Sequence, residues 1–189
     1  MSRSIGALEF QSISIGMQVA DSMVKKANVE IIYFKTICPG KFLVIVTGDE
    51  GEVNEAIDFG EQIAGKALVD SFKVHAVSSS IIDAFKNRYE KMDTIDALGI
   101  VETRKVCTGI KALDMVLKAA DVTLLKIYLA FAIGGKLVFV VTGSVSSIES
   151  GISECKSILS DYECANIAVI PSPSDEMLSS MFHTSFARE

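Results

Sequence analysis

The hydrophobic positions of the chain change period several times, and the order of the changes recurs. A short apolar run near residues 4–12 predicts a strand. Over 15–27 the apolar positions Val19, Ala20, Met23, Val24 and Ala27 fall on one face of a helix. V29-E-I-I-Y-F-K-T-I37 and F42-L-V-I-V-T47 are rich in β-branched and aromatic residues and predict two strands, joined at C38-P-G40 by a turn. Asp49, with Glu52 three residues on, gives a capping-box pattern for a helix running to about Lys66. A strand near 70–77 and a short helix near 80–90 complete the set. The second half predicts the same order at 97–106, 108–120, 122–132, 137–142, 145–160, 165–170 and 174–182.

The residues repeat as well as the pattern. I5-G-A-L-E9 returns as L98-G-I-V-E102, an offset of 93 that also aligns Gly16 with Gly109, Asp21 with Asp114 and Lys25 with Lys118. The register then shifts by two, so that G40-K-F-L-V-I-V-T-G48 meets G135-K-L-V-F-V-V-T-G143. The chain is read as a tandem duplication of an α+β unit, with domains at 1–91 and 96–189 and a boundary in the polar stretch K86-N-R-Y-E-K-M-D-T-I-D96. The order β-α-β-β-α-β plus a helix is the split βαβ, ferredoxin-like plan. Helices on one face of each four-stranded sheet would leave the other face partly open.

Composition narrows the partners. The 189 residues are 49% hydrophobic, and the mean hydropathy of +0.38 suggests apolar surface buried between subunits. A net charge of −6 without a Lys/Arg cluster argues against nucleic acid and anionic membrane. The opening M-S-R-S-I-G-A-L-E-F lacks the apolar stretch of a secretory signal, which predicts a cytoplasmic protein. Residues 124–143 are long enough to span a bilayer, but Lys126, Lys136 and Gly134-Gly135 interrupt them, and their content suits two strands and a turn.

Local catalytic signals are weak. G134-G-K136 lacks the spacing and the Ser/Thr of a phosphate loop. Glu9 and Glu102 hold equivalent strand positions, where acceptors for nearby backbone N–H groups are expected rather than catalytic acids. The four cysteines, Cys38, Cys107, Cys155 and Cys164, form no C-x-x-C and no zinc spacing with His75 or His183. Cys107, Cys155 and Cys164 are expected to be core thiols. Cys38 differs because it sits at a turn, where side chains leave the core.

Several segments together resemble the tandem-domain shell proteins of bacterial microcompartments. They are I-G-A-L-E and L-G-I-V-E, D21-S-M-V-K-K-A-N-V29 with D114-M-V-L-K-A-A-D-V122, the strand ends T-G-D and T-G-S, and V169-I-P-S-P-S-D-E176. Within that family, K35-T-I-C-P-G-K-F42 and A130-F-A-I-G-G-K136 look most like the iron–sulfur member of 1,2-propanediol-utilisation shells. The resemblance implies a homotrimer whose six similar domains form a pseudohexagonal tile within a microcompartment shell, among other shell proteins and possible encapsulated redox enzymes as partners. It implies no catalysis. It further implies a central pore lined by Ile37, Cys38, Pro39, Gly40 and Lys41 from one half and by Ile133, Gly134 and Gly135 from the other. Three copies of Cys38 would ligate one [4Fe–4S] cluster per trimer, with Lys41 and Lys136 available to temper its charge.

The resemblance also implies tile-edge contacts at Lys25 and Lys118. Ser172, however, stands where the family usually has an arginine, and the first half reads V77-S-S-S80 without proline. Two other readings remain open: a cluster-free tile whose pore thiol is redox-sensitive, and a ferredoxin-like enzyme with Cys38 as nucleophile.

Overall fold

The structure is a computed structural model that describes residues 3–92, 94–129, 136–160 and 162–183. The first unit runs β1 (Ser4–Phe10), α1 (Ile13–Lys26), β2 (Glu30–Ile37), β3 (Lys41–Gly48), α2 (Glu50–Ala64), β4 (Leu68–Val74) and α3 (Ser79–Phe85). The second runs β5 (Ala97–Thr103), α4 (Val106–Ala119), β6 (Thr123–Leu129), β7 (Leu137–Gly143), α5 (Val145–Ile158), β8 (Cys164–Pro171) and α6 (Asp175–His183). The strands form two sheets of order β2-β3-β1-β4 and β6-β7-β5-β8, with every pairing antiparallel. This is the expected ferredoxin-like plan, built twice.

Alternation along β1 assigns the faces. Leu8 and Phe10 join the core beneath α1 and α2, together with Val19, Met23, Val53 and Ile57. Gly6 lies on that side too, and a Cβ there would meet Ile57 and Val53. Its counterpart Gly99 would drive a Cβ to 2.7 Å from Ile148 Cγ2. The repeated glycine of I-G-A-L-E and L-G-I-V-E is therefore a close approach between strand and helix.

The other face of β1 carries Ile5 and Ala7, and it is not open. Leu43, Ile45 and Phe72 continue it, while Ile81, Phe85 and the second unit's Val106, Cys107 and Ile110 share the same apolar cluster. Helix α4 packs against β4 of the first sheet, which corrects the expectation of a partly open face in this half. In the second half the equivalent face holds Leu98, Leu125 and Val140 beneath Met177, Leu178 and Met181 of α6. The half-buried Ile100 and the exposed Ala168 lie at its margin.

Helix caps differ from expectation in one place. Asp49 is the N-cap of α2, but its side chain makes no capping bond. Glu52 instead accepts the Asn28 backbone N–H at 2.5 Å, tying the helix to the loop that precedes β2. Val24, expected on the apolar face of α1, is exposed.

Candidate functional site

The turn between β2 and β3 is set by pairing of Ile37 with Lys41, which leaves Cys38, Pro39 and Gly40 as the loop. The Cys38–Pro39 peptide is cis, and Gly40 has φ +73°. A Cβ would meet nothing within 4 Å at Gly40, so the requirement for glycine is conformational and not steric. Pro39 and Gly40 are exposed, and Cys38 and Lys41 are half-buried. Ile37 is buried in the core, so its side chain turns away from the surface of the turn.

Two ion pairs stand at the base of the equivalent hairpins. Lys41 Nζ donates to Glu9 Oε1 at 2.6 Å, with the Glu9 side chain almost entirely buried. Lys136 Nζ lies 3.3 Å from Glu102 Oε2, in a more exposed setting. Both glutamates thus accept from a lysine side chain, not from the backbone N–H groups expected of them. The geometry follows from register: Glu9 faces Leu43 and Glu102 faces Val138, which puts each lysine two residues along on the same face. Each lysine's charge is already matched by a carboxylate, which reduces what it can lend to an anion at the turn.

The other thiols are elsewhere. Cys107 is buried at the start of α4, and Cys155 is buried within α5. Burial, followed by the Asp70 and Glu9 carboxylates, pushes the Cys107 thiol well above its ordinary value. Burial also raises Cys155 to about 11, with Cys164 adding to the effect. Cys164 opens β8 and is half-buried. Among the described residues, no group of three or more His, Cys, Asp or Glu could hold a metal ion. A single chain therefore brings one accessible turn thiol, Cys38. Its soft sulfur donor suits an iron–sulfur cluster, but one donor falls short of the number a cluster needs.

The edge lysines share one arrangement. Lys25 Nζ donates to Asp21 Oδ2 at 2.6 Å, and Lys118 Nζ donates to Asp114 Oδ2. Both lysines stay exposed near the ends of their helices. Ile133, Gly134 and Gly135 lie outside the described residues.

The family profile of the BMC domain matches twice, at residues 4–79 and 97–173. The chain belongs to the BMC-domain family. It is 44% identical over 153 residues to the bacterial microcompartment shell protein PduT of Citrobacter freundii, covering 81% of this chain and 83% of that one. A crystal structure of a microcompartment protein from Desulfitobacterium hafniense superposes with a TM-score of 0.89 at 33% identity, covering 95% of this chain and 99% of that one. A fused permuted hexameric shell protein of the RMM microcompartment matches at a TM-score of 0.60, 16% identity and 82% coverage of each chain, a likeness of fold. The protein is a structural component of a microcompartment shell, not an enzyme. Among the described residues, no helix is long and apolar enough to cross a membrane.

Proposed function

We propose that three copies of this BMC-domain protein close into a pseudohexagonal tile with the β2–β3 turns at the central pore. Three Cys38 thiolates there ligate one [4Fe–4S] cluster. The carrying observation is Cys38 itself, held at the tip of a tight turn, with no cluster of three or more potential metal ligands among the described residues. A threefold axis converts one such thiol into three converging donors. Burial raises the Cys107 and Cys155 thiols above their ordinary values, which disfavours the thiolates that iron would need. A bound cluster would supply one-electron redox chemistry across the shell. The chain's own contribution is to hold the sulfur in place and to keep Lys41 paired with Glu9. Other shell proteins at the tile edge, reached by Lys25 and Lys118, and an encapsulated redox enzyme are the partners this reading entails.

Protein isolated without oxygen, or reconstituted with iron and sulfide, is expected to hold about four irons per three chains and to absorb in the visible. Both properties should vanish in Cys38→Ala. Cluster retention by that variant would overturn the ligand assignment. The half-exposure of Cys38 also suits a second reading, a cluster-free tile with a metabolite pore gated by a redox-sensitive thiol. A reconstituted trimer without iron that binds a metabolite at the axis would favour it.

A further inference from the structure

We infer that the cavity between the edge strands β2 and β6 binds a small carboxylate with an apolar tail, held by Lys35 and the phenols of Tyr33 and Tyr89. The site is built within one chain, so it requires neither the cluster nor the tile proposed above.

β2 lies at one edge of the first sheet and β6 at one edge of the second. Helix α3 contacts both strands, and a cavity of about 300 Å³ remains among them, the size of a small-ligand site. Its apolar wall comes from Phe85 of α3 and from Ile127 and Leu129 of β6. Alternation along β2 turns Tyr33, Lys35 and Ile37 to one face, where Ile37 is buried and Lys35 stays exposed. Tyr33 packs edge-on against Phe85, with ring centroids 6.0 Å apart. The chain leaves α3 through Asn87 at φ +57°, a left-handed turn that asparagine tolerates, and returns Tyr89 to the cavity.

The polar side chains are set up to donate. The Tyr89 oxygen accepts the Ile127 N–H at 3.3 Å, which leaves the phenol's own proton to give. Tyr33 makes only its ring contact among the described residues. Burial raises both phenols above their ordinary value, so each keeps its proton at neutral pH.

Charge selects the ligand. Of the residues lining the cavity Lys35 alone is charged, and it has no ion pair among the described residues. Lys41 and Lys86, by contrast, are held by Glu9 and Glu30. Lys126 Nζ lies 5.6 Å from the centre of the Tyr89 ring and likewise lacks a carboxylate partner among the described residues. Free ammonium groups beside a cavity without acids, in a chain of net charge −6, favour an anion. The apolar wall disfavours a polyanion, whose further charges would be buried unpaired. One carboxylate on a hydrocarbon tail meets both conditions: its oxygens take the donors and its tail covers the wall.

Titration of the intact protein with benzoate, followed by saturation-transfer NMR, tests the site, with benzyl alcohol as a neutral probe of similar shape. Benzoate is expected to bind with a dissociation constant on the order of 1 mM, and benzyl alcohol about tenfold more weakly. Lys35→Met and Tyr33→Phe should each weaken benzoate about tenfold, with far-UV circular dichroism unchanged. Lys156→Met removes an exposed charge outside the cavity and should bind as wild type does. No transfer to benzoate at about 20 mM, or equal binding of the two probes, would overturn the site. Wild-type affinity in both Lys35→Met and Tyr33→Phe, or an equal loss in Lys156→Met, would do the same.

Discussion

At the scale of single residues, the environments of the thiols separate Cys38 from the two buried in helices, Cys107 and Cys155. Cys38 lies at a turn tip, while burial raises Cys107 and Cys155 well above their ordinary values. Cluster-free protein treated with a maleimide at about pH 8 should therefore react at Cys38 well before Cys107 and Cys155, which need unfolding to become available. Peptide mapping by mass spectrometry reads the order. Equal rates at all three positions would contradict it. The special position of Cys38 was legible in the sequence because Pro-Gly between two apolar runs dictates a turn. The partners of Glu9 and Glu102 were not. Lys41 is 32 residues from Glu9 in sequence, and only the β1–β3 register makes the two diagonal neighbours on one face.

At the scale of elements, the strand and helix order was legible because each element carries its own period, and the duplication states it twice. Ends were less so. The first strand stops at Phe10, short of the expected residue 12, because Ser12 is the N-cap of α1 and accepts the Ile15 N–H. Two tests belong here. Gly99→Val places atoms where Ile148 already sits, and should cost on the order of 1–3 kcal/mol in urea unfolding. The edge strand β2 is tied to the connector after α3 by Lys86, whose Nζ lies 2.7 Å from Glu30 Oε1. The Lys86 hydrogen bond holds the Glu30 carboxyl below its ordinary value. A lowered folded-state pKa means that the stabilisation is complete above the ordinary carboxylate value and is lost as pH falls through the folded one. Lys86→Ala should therefore destabilise by less than about 1 kcal/mol at neutral pH, and the difference should shrink toward nothing in acid. A deficit independent of pH would show that Lys86 acts through packing alone.

At the scale of the whole molecule, duplication is both the most legible feature and the source of what sequence could not show. Periodicity marks one face of each sheet as covered by its own helices, but it cannot say what covers the other. In the first half the answer is α3 together with the second half's α4; in the second half it is α6. Equivalent positions thus have different fates: Ile110 is a core residue, and Met17 is an unmated surface. The high mean hydropathy of +0.38 fits a chain that completes its burial by assembling.

The central claim, three chains converging on one cluster through Cys38, is tested most directly by native mass spectrometry of protein isolated without oxygen. The account predicts a species of three 20.3 kDa chains carrying the additional mass of one [4Fe–4S] cluster, with the same three chains free of that mass in Cys38→Ala. A monomer, or a trimer that stays free of iron after reconstitution, would contradict it.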